Sequence, residues 1–187
     1  MNSAYSDPQL LEWTLELSKK FNIKTFFETG TYHGGTAKIV SNYFDKVITI
    51  ESNNESYNIA LDNLKNINNC SLYLGNSPEI MDQQLKENNN SIFFFLDAHW
   101  DDYWPLLDEL KIIKNKNLKP VIAIHDFYVP DENGNAKFGF DSYHGCPLNF
   151  DYIKFSIEKI YDNNYEFKYS TSSITNSGVI FVYPKSN

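Results

Sequence analysis

The sequence predicts one α/β domain built on a doubly wound, mostly parallel sheet, and three observations carry that expectation. Five short apolar-rich runs, at 24–28, 47–50, 72–74, 92–96 and 121–124, alternate with segments whose apolar residues recur at helical spacing. Runs without polar alternation suit strands covered on both faces. Two further runs, 165–170 and 178–183, follow one another with no helix between them, so one of the pair is expected to run antiparallel. The 187 residues, 42% of them hydrophobic, suit one domain spanning 1–187 with a core of its own, and neither a repeat nor a linker divides them.

Each element follows from local signals. Asp7 before Pro8 reads as an N-cap with proline at the first helical position. Leu10, Leu11, Trp13, Leu15, Leu17 and Phe21 then give a helix over 8–21 its apolar face. The strand at 24–28 enters a glycine-rich turn, and a helix of about ten residues is expected from Thr36, carrying Ala37, Ile39, Val40 and Phe44. Strands 47–50 and 72–74 lead into helices over 55–65 and 78–86. Strand 92–96 leads to a helix that begins near Trp104-Pro105, with Leu106, Leu107, Leu110 and Ile113 at helical spacing. The segment 127–150 has no periodicity and contains several Gly and Pro. A helix over 150–161 precedes the closing hairpin.

Composition narrows the function. Sixteen Lys and Arg face 24 Asp and Glu, a formal charge of −8, which argues against a nucleic-acid or anionic-membrane partner held by bulk charge. Cys70 and Cys146 are too few for a disulfide framework, and a reducing compartment suits them. The opening MNSAYSDPQLLEW lacks a basic region followed by an apolar one, and the longest strongly apolar run, 92–96, falls far short of the roughly 20 residues a spanning helix needs. A cytoplasmic protein without membrane attachment is the expectation.

The turn Glu28-Thr-Gly30-Thr-Tyr-His-Gly34-Gly35-Thr36 sits where doubly wound sheets bind ligands. A dinucleotide fingerprint would need glycine at Tyr32, and a P-loop would need lysine at Thr36, so neither nucleotide motif fits. A tight strand-to-helix turn without a ligand stays open on these residues alone. The spacing that fits is E-x-G-x-x-x-G-x-[ST], and it resembles the first motif of class I S-adenosylmethionine-dependent methyltransferases. That resemblance implies a Rossmann-like seven-stranded sheet and a turn packed under the methionine part of S-adenosyl-L-methionine, with Glu28, Gly30, Thr31, Gly34 and Thr36 at the cofactor. Glu51 stands 21 positions after Gly30 at the end of the second strand, where a carboxylate accepts from ribose hydroxyls, and Ser52 adjoins it. The family often has Gly-Asp after the third strand. Here Gly75 is followed by Asn76 and Ser77, and the Asn76 amide oxygen can still accept from an exocyclic amine.

Strands four and five end in Asp97-Ala-His99-Trp100 and His125-Asp126, at the same sheet edge as the turn. This cluster is similar to that of the small-molecule O-methyltransferases, of the catechol type and, more closely, of the macrocin and mycinamicin type. The resemblance implies a divalent cation, Mg²⁺ or another, on Asp97, Asp126 and His125, with His99 as general base and Asp97 and His125 also in the catalytic cluster. Asp97 counts among the cofactor-binding residues too. His125 has three readings: a ligand for a softer metal than Mg²⁺, a base, or a buried orienting group. The [DN]-P-P-[FYW] motif of amine and amide methylation is absent after strand four. The resemblance implies an acceptor that is a small hydroxylated molecule, sugar or nucleotide-sugar derived, and a single domain leaves 97–104 and 127–150 to recognise it. Tyr128, Phe138, Phe140 and Tyr143 give the latter segment the character of a lid or of a subunit contact in a homodimer. Two rival functions are a non-catalytic S-adenosylmethionine-binding protein and a metal-dependent hydrolase using Asp97, His125 and Asp126.

Overall fold

The computed structural model describes residues 3–87, 89, 91–99 and 103–186. Trp100, Asp101 and Asp102, part of the expected acceptor stretch 97–104, lie outside the described residues.

The Asp7 cap forms as the sequence predicts. Its Oδ1 accepts from the backbone N–H groups of Gln9 and Leu10, opening α1 (Pro8–Lys20) directly after a short 3₁₀ turn at Ala4–Ser6. Five strands and four helices then alternate: β1 (Thr25–Thr29), α2 (Gly35–Val40), β2 (Lys46–Glu51), α3 (Asn54–Leu64), β3 (Cys70–Leu74), α4 (Ser77–Gln84), β4 (Ile92–Leu96), α5 (Leu106–Asn115) and β5 (Val121–Ile124). A two-residue-per-strand hairpin, β6 (Ser142–Tyr143) and β7 (Cys146–Pro147), interrupts the loop that follows. α6 (Phe150–Tyr161), β8 (Tyr165–Tyr169) and β9 (Ile180–Pro184) complete the described chain.

Seven strands form one sheet in the order β3-β2-β1-β4-β5-β9-β8. The first five are mutually parallel, and β9 enters antiparallel between β5 and β8. Strand order reverses between β1 and β4, which opens a crevice at the carboxyl ends of these two strands. Alternation along β4 divides the core. Phe93 and Phe95 pack with Phe26, Val47 and Phe181 on one side, while Phe94 packs with Phe27, Ile48 and Ile122 on the other. Both faces of the central parallel strands β1, β2, β4 and β5 are buried, as a parallel sheet requires.

One detail departs from the expectations. The helix expected to run about ten residues from Thr36 stops at Val40, because Ser41 and Asn42 donate side-chain hydrogen bonds to the carbonyls of Lys38 and Ile39. Phe44 is buried all the same. The segment 127–150 is ordered by the β6–β7 hairpin and by backbone bonds from Tyr128 to Leu148 and from Asp141 to Asp126. Tyr143 of this hairpin stacks on Trp104 at 5.4 Å. Among the described residues no helix is long and apolar enough to cross a membrane.

Candidate active site

The crevice at the strand-order reversal is a cavity of about 670 Å³, within the range of small-molecule sites. Gly30, Thr31, Thr36, Glu51, Ser52, Ser77, Asp97, His99, His125 and Asp126 all line it, so most of the residues predicted from sequence converge. Glu28, Gly34 and Asn76 are absent from this lining. Gly34 is the left-handed N-cap of α2, with φ +80°. Asn76 adjoins the lining residues Gly75 and Ser77, and its Oδ1 is a buried acceptor without a partner among the described residues.

Glu28 lies beneath the turn, fully buried, and accepts a 2.6 Å hydrogen bond from Thr49 Oγ1. Burial, opposed by that hydrogen bond, raises its pKa to about 8. Gly30 is required by its surroundings. Its φ is +80°, and a Cβ there would lie 2.5 Å from the carbonyl oxygen of Asp97. The turn of β1 is thereby pressed against the end of β4.

Glu51 is positioned by backbone donors. Its Oε2 accepts from Tyr32 N at 2.7 Å, and its Oε1 from Ser52 N at 2.9 Å and Asn53 N at 2.8 Å. These bonds hold a carboxylate rigidly at the cavity wall, and each oxygen retains acceptor capacity for a ligand hydroxyl.

Across the crevice, His125 Nδ1 is 2.9 Å from Asp97 Oδ1 and 3.3 Å from Asp126 Oδ2. Burial alone would lower the imidazole pKa, but the two carboxylates outweigh it and raise it to about 10. Burial acts upward on Asp126, and His125 nevertheless holds it below the usual carboxylate range. His125 Nδ1 is thus bracketed by two carboxylates, both within ion-pair distance. His99 is more exposed, with its Nε2 3.9 Å from Asp141 Oδ2, and it lines both the main cavity and a small adjoining recess with Trp104, Glu109, Asp141 and Leu148.

Among the described residues, two groups of side chains offer donor atoms within 4.8 Å of one another: Asp97, His125 and Asp126, and His99, Asp126 and Asp141. The donor set suits a divalent cation that accepts nitrogen alongside oxygen better than it suits Mg²⁺.

Several lining residues were not foreseen from sequence. Ser3 and Ala4 of the N-terminal turn and Ile174 and Thr175 of the β8–β9 loop form one rim. They are tied together there: Asp7 Oδ2 accepts from Ile174 N, the Gln9 side chain bonds Thr171, and Ser3 Oγ pairs with Thr36 Oγ1 at 2.8 Å. Only the Asp7-Pro8 signal touched this region in the sequence, and it pointed to a helix start. Asp141 and Glu109 were also missed. Glu109, buried on α5, accepts from Ser77 Oγ at 2.5 Å, and burial raises its pKa to about 7 against that bond.

No family model and no curated protein matches the chain. Solved structures do. A Staphylococcus aureus protein assigned as a caffeoyl-CoA O-methyltransferase superposes with a TM-score of 0.59 at 17% identity, over 95% of this chain and 84% of its own. A Streptococcus mutans protein assigned as a methyltransferase and solved in complex with SAH gives 0.60 at 13% identity, over 98% and 99%. An rRNA methylase from Streptococcus thermophilus gives 0.60 at 11% identity, over 100% and 99%.

The chain has the class I methyltransferase fold. At these identities the likeness carries the architecture alone, and the two names that state an acceptor, caffeoyl-CoA and rRNA, differ. Within this fold the cavity lies at the β1–β4 crevice, with the Glu51 wall on one side and the Asp97–His125–Asp126 cluster on the other.

Proposed function

We propose that this protein is an S-adenosylmethionine-dependent methyltransferase that methylates a hydroxyl of a small acceptor, sugar or nucleotide-sugar derived. The observation that carries the reading is one crevice with Glu51 held at its wall by three backbone donors and Asp97, His99 and Asp126 grouped at its far side. When bound, S-adenosylmethionine supplies an electrophilic methyl on a sulfonium. The residues fit such a cationic ligand: Glu51 and Asp97 bring carboxylates to the lining, and Asn76 Oδ1, buried and without a partner among the described residues, lies beside it.

His99 takes the proton of the acceptor hydroxyl in this reading. It is accessible, it faces Asp141, and that carboxylate stabilises the imidazolium formed. His125, clamped between Asp97 and Asp126, fixes the orientation of both carboxylates. The β1 turn, the β4 end and the β8–β9 rim hold acceptor and cofactor in line and limit water, which is where most of the acceleration in such a transfer originates.

A divalent cation would be held by Asp97, His125 and Asp126, and would lower the pKa of the acceptor hydroxyl as a Lewis acid. Asp126→Asn tests this. Chelator-sensitive turnover is expected to fall by 10²-fold or more, roughly, with affinity for S-adenosylhomocysteine nearly unchanged. Turnover indifferent to both chelator and Asp126→Asn contradicts the metal part. Methylation measured across sugar, nucleotide-sugar, catechol and RNA acceptors tests the acceptor class, and transfer to RNA alone contradicts it.

A further inference from the structure

Among the described residues, the sheet ends in a strand with an unpaired outer edge. β8 pairs with β9 on one side, and it is the last strand of the order. Ser170 N donates to Val179 O, and Lys185 N donates to Asn164 O, both in the register that pairs Tyr165 with Pro184 and Tyr169 with Ile180. Hydrogen-bonded pairs recur at every second residue of an antiparallel ladder. Glu166 and Lys168 therefore direct their backbone groups to β9, and Tyr165, Phe167 and Tyr169 direct theirs away from the sheet.

The edge sequence Tyr165-Glu166-Phe167-Lys168-Tyr169 complements itself. A two-fold axis at Phe167 sets Tyr165 opposite Tyr169, Phe167 opposite itself, and Glu166 opposite Lys168. The outward backbone groups of Tyr165, Phe167 and Tyr169 then meet in hydrogen-bonded pairs. Glu166 and Lys168 fall on the intervening pairs, where side chains approach most closely.

The side chains around this edge suit that partner. Lys168 is already ordered, with its Nζ 3.9 Å over the Trp13 ring and 3.5 Å from Glu16, so little freedom remains to be lost when it gains an acidic neighbour. On the opposite face, Phe167 stacks on Phe150 at 4.6 Å and is still 42% exposed. Asp151 acts electrostatically on Tyr169, and Glu158 on Tyr165. Phe155, on α6 one helical turn from each of these acidic residues, is 72% exposed. An exposed strand edge beside exposed aromatic side chains is a template for pairing unless it is blunted.

We propose that β8 pairs antiparallel with β8 of a second copy of this chain, joining the two sheets into one continuous fourteen-stranded sheet through a two-fold axis at Phe167. The occupant is a second copy because self-pairing about Phe167 sets Glu166 of each strand opposite Lys168 of the other. The inference is independent of the methyltransferase reading, since it uses no cavity residue.

Sedimentation equilibrium and light scattering over a micromolar concentration series test it, on wild type, Glu166→Lys, Lys168→Glu and the double exchange. Wild type is expected to dimerise. Each single reversal sets like charges across the axis and should weaken dimerisation at least tenfold. The double exchange restores opposite charges and should restore the dimer. An equimolar mixture of the two single variants should form a heterodimer. Circular dichroism melts verify that each variant is folded, and Glu166→Lys, at a solvent-exposed position, keeps the test decisive if Lys168→Glu is lost with its Trp13 contact. A monomeric wild type at high micromolar concentration, or a dimer that a folded single reversal leaves unchanged, overturns the proposal.

Discussion

At the scale of single residues, the site is governed by how buried charges are partnered. His125 keeps its proton because two carboxylates bracket it, and the resulting ion pair also contributes to stability. Its pKa is raised from 6.5 to about 10. A raised imidazole contributes fully below its unfolded value and loses that contribution as pH climbs to the folded one. In chelator-treated protein, His125→Asn should therefore be destabilised on the order of 3 kcal/mol near pH 6. The gap to wild type should shrink toward pH 10, as read by urea unfolding across pH. A gap independent of pH contradicts the ion-pair account. Asp97, His125 and Asp126 were legible in the sequence as strand ends at one sheet edge. The protonation of His125 was not, because it depends on 2.9 Å and 3.3 Å separations that only the packing of β4 against β5 sets.

At the scale of elements, the β1 turn and the N-terminal cap carry the cavity walls. Gly30 faces the Asp97 carbonyl with φ +80°, so Gly30→Ala combines a left-handed backbone with a 2.5 Å overlap. It should cost at least about 2 kcal/mol in denaturant unfolding and weaken any ligand held by the turn. A variant as stable as wild type contradicts this close approach. Asp7 has two duties, with Oδ1 capping α1 and Oδ2 accepting from Ile174 N in the β8–β9 loop. Asp7→Ala should cost about 1–2 kcal/mol, and hydrogen exchange should rise at 171–176 as well as at the start of α1. Faster exchange confined to α1 contradicts the tie between the two segments. The strands and most helices were legible because each is one run of consistent periodicity. The β6–β7 hairpin was not: two-residue strands have no period, and this one is fixed by Trp104 stacking and by backbone bonds that tie its flanking residues Asp141 and Leu148 to Asp126 and Tyr128. The cavity rim joins Ser3 and Ala4 to Ile174 and Thr175, about 170 positions apart in the chain, and no local pattern reports such a contact.

At the scale of the whole molecule, strand order explains why these residues meet at all. The reversal between β1 and β4 opens the sheet where Gly30 touches Asp97, and β2 brings Glu51 to the same crevice from the other side. The acidic balance of the chain is partly concentrated here, with Glu51, Asp97 and Asp126 lining a cavity suited to a cationic ligand. The most direct measurement is calorimetric titration of the purified protein with S-adenosylmethionine and S-adenosylhomocysteine, beside Glu51→Ala. Saturable one-to-one binding of both ligands, weakened at least tenfold in a folded Glu51→Ala, is the predicted result. No binding by wild type at millimolar ligand, or binding that Glu51→Ala leaves unaltered, would contradict the assignment of the crevice to this cofactor.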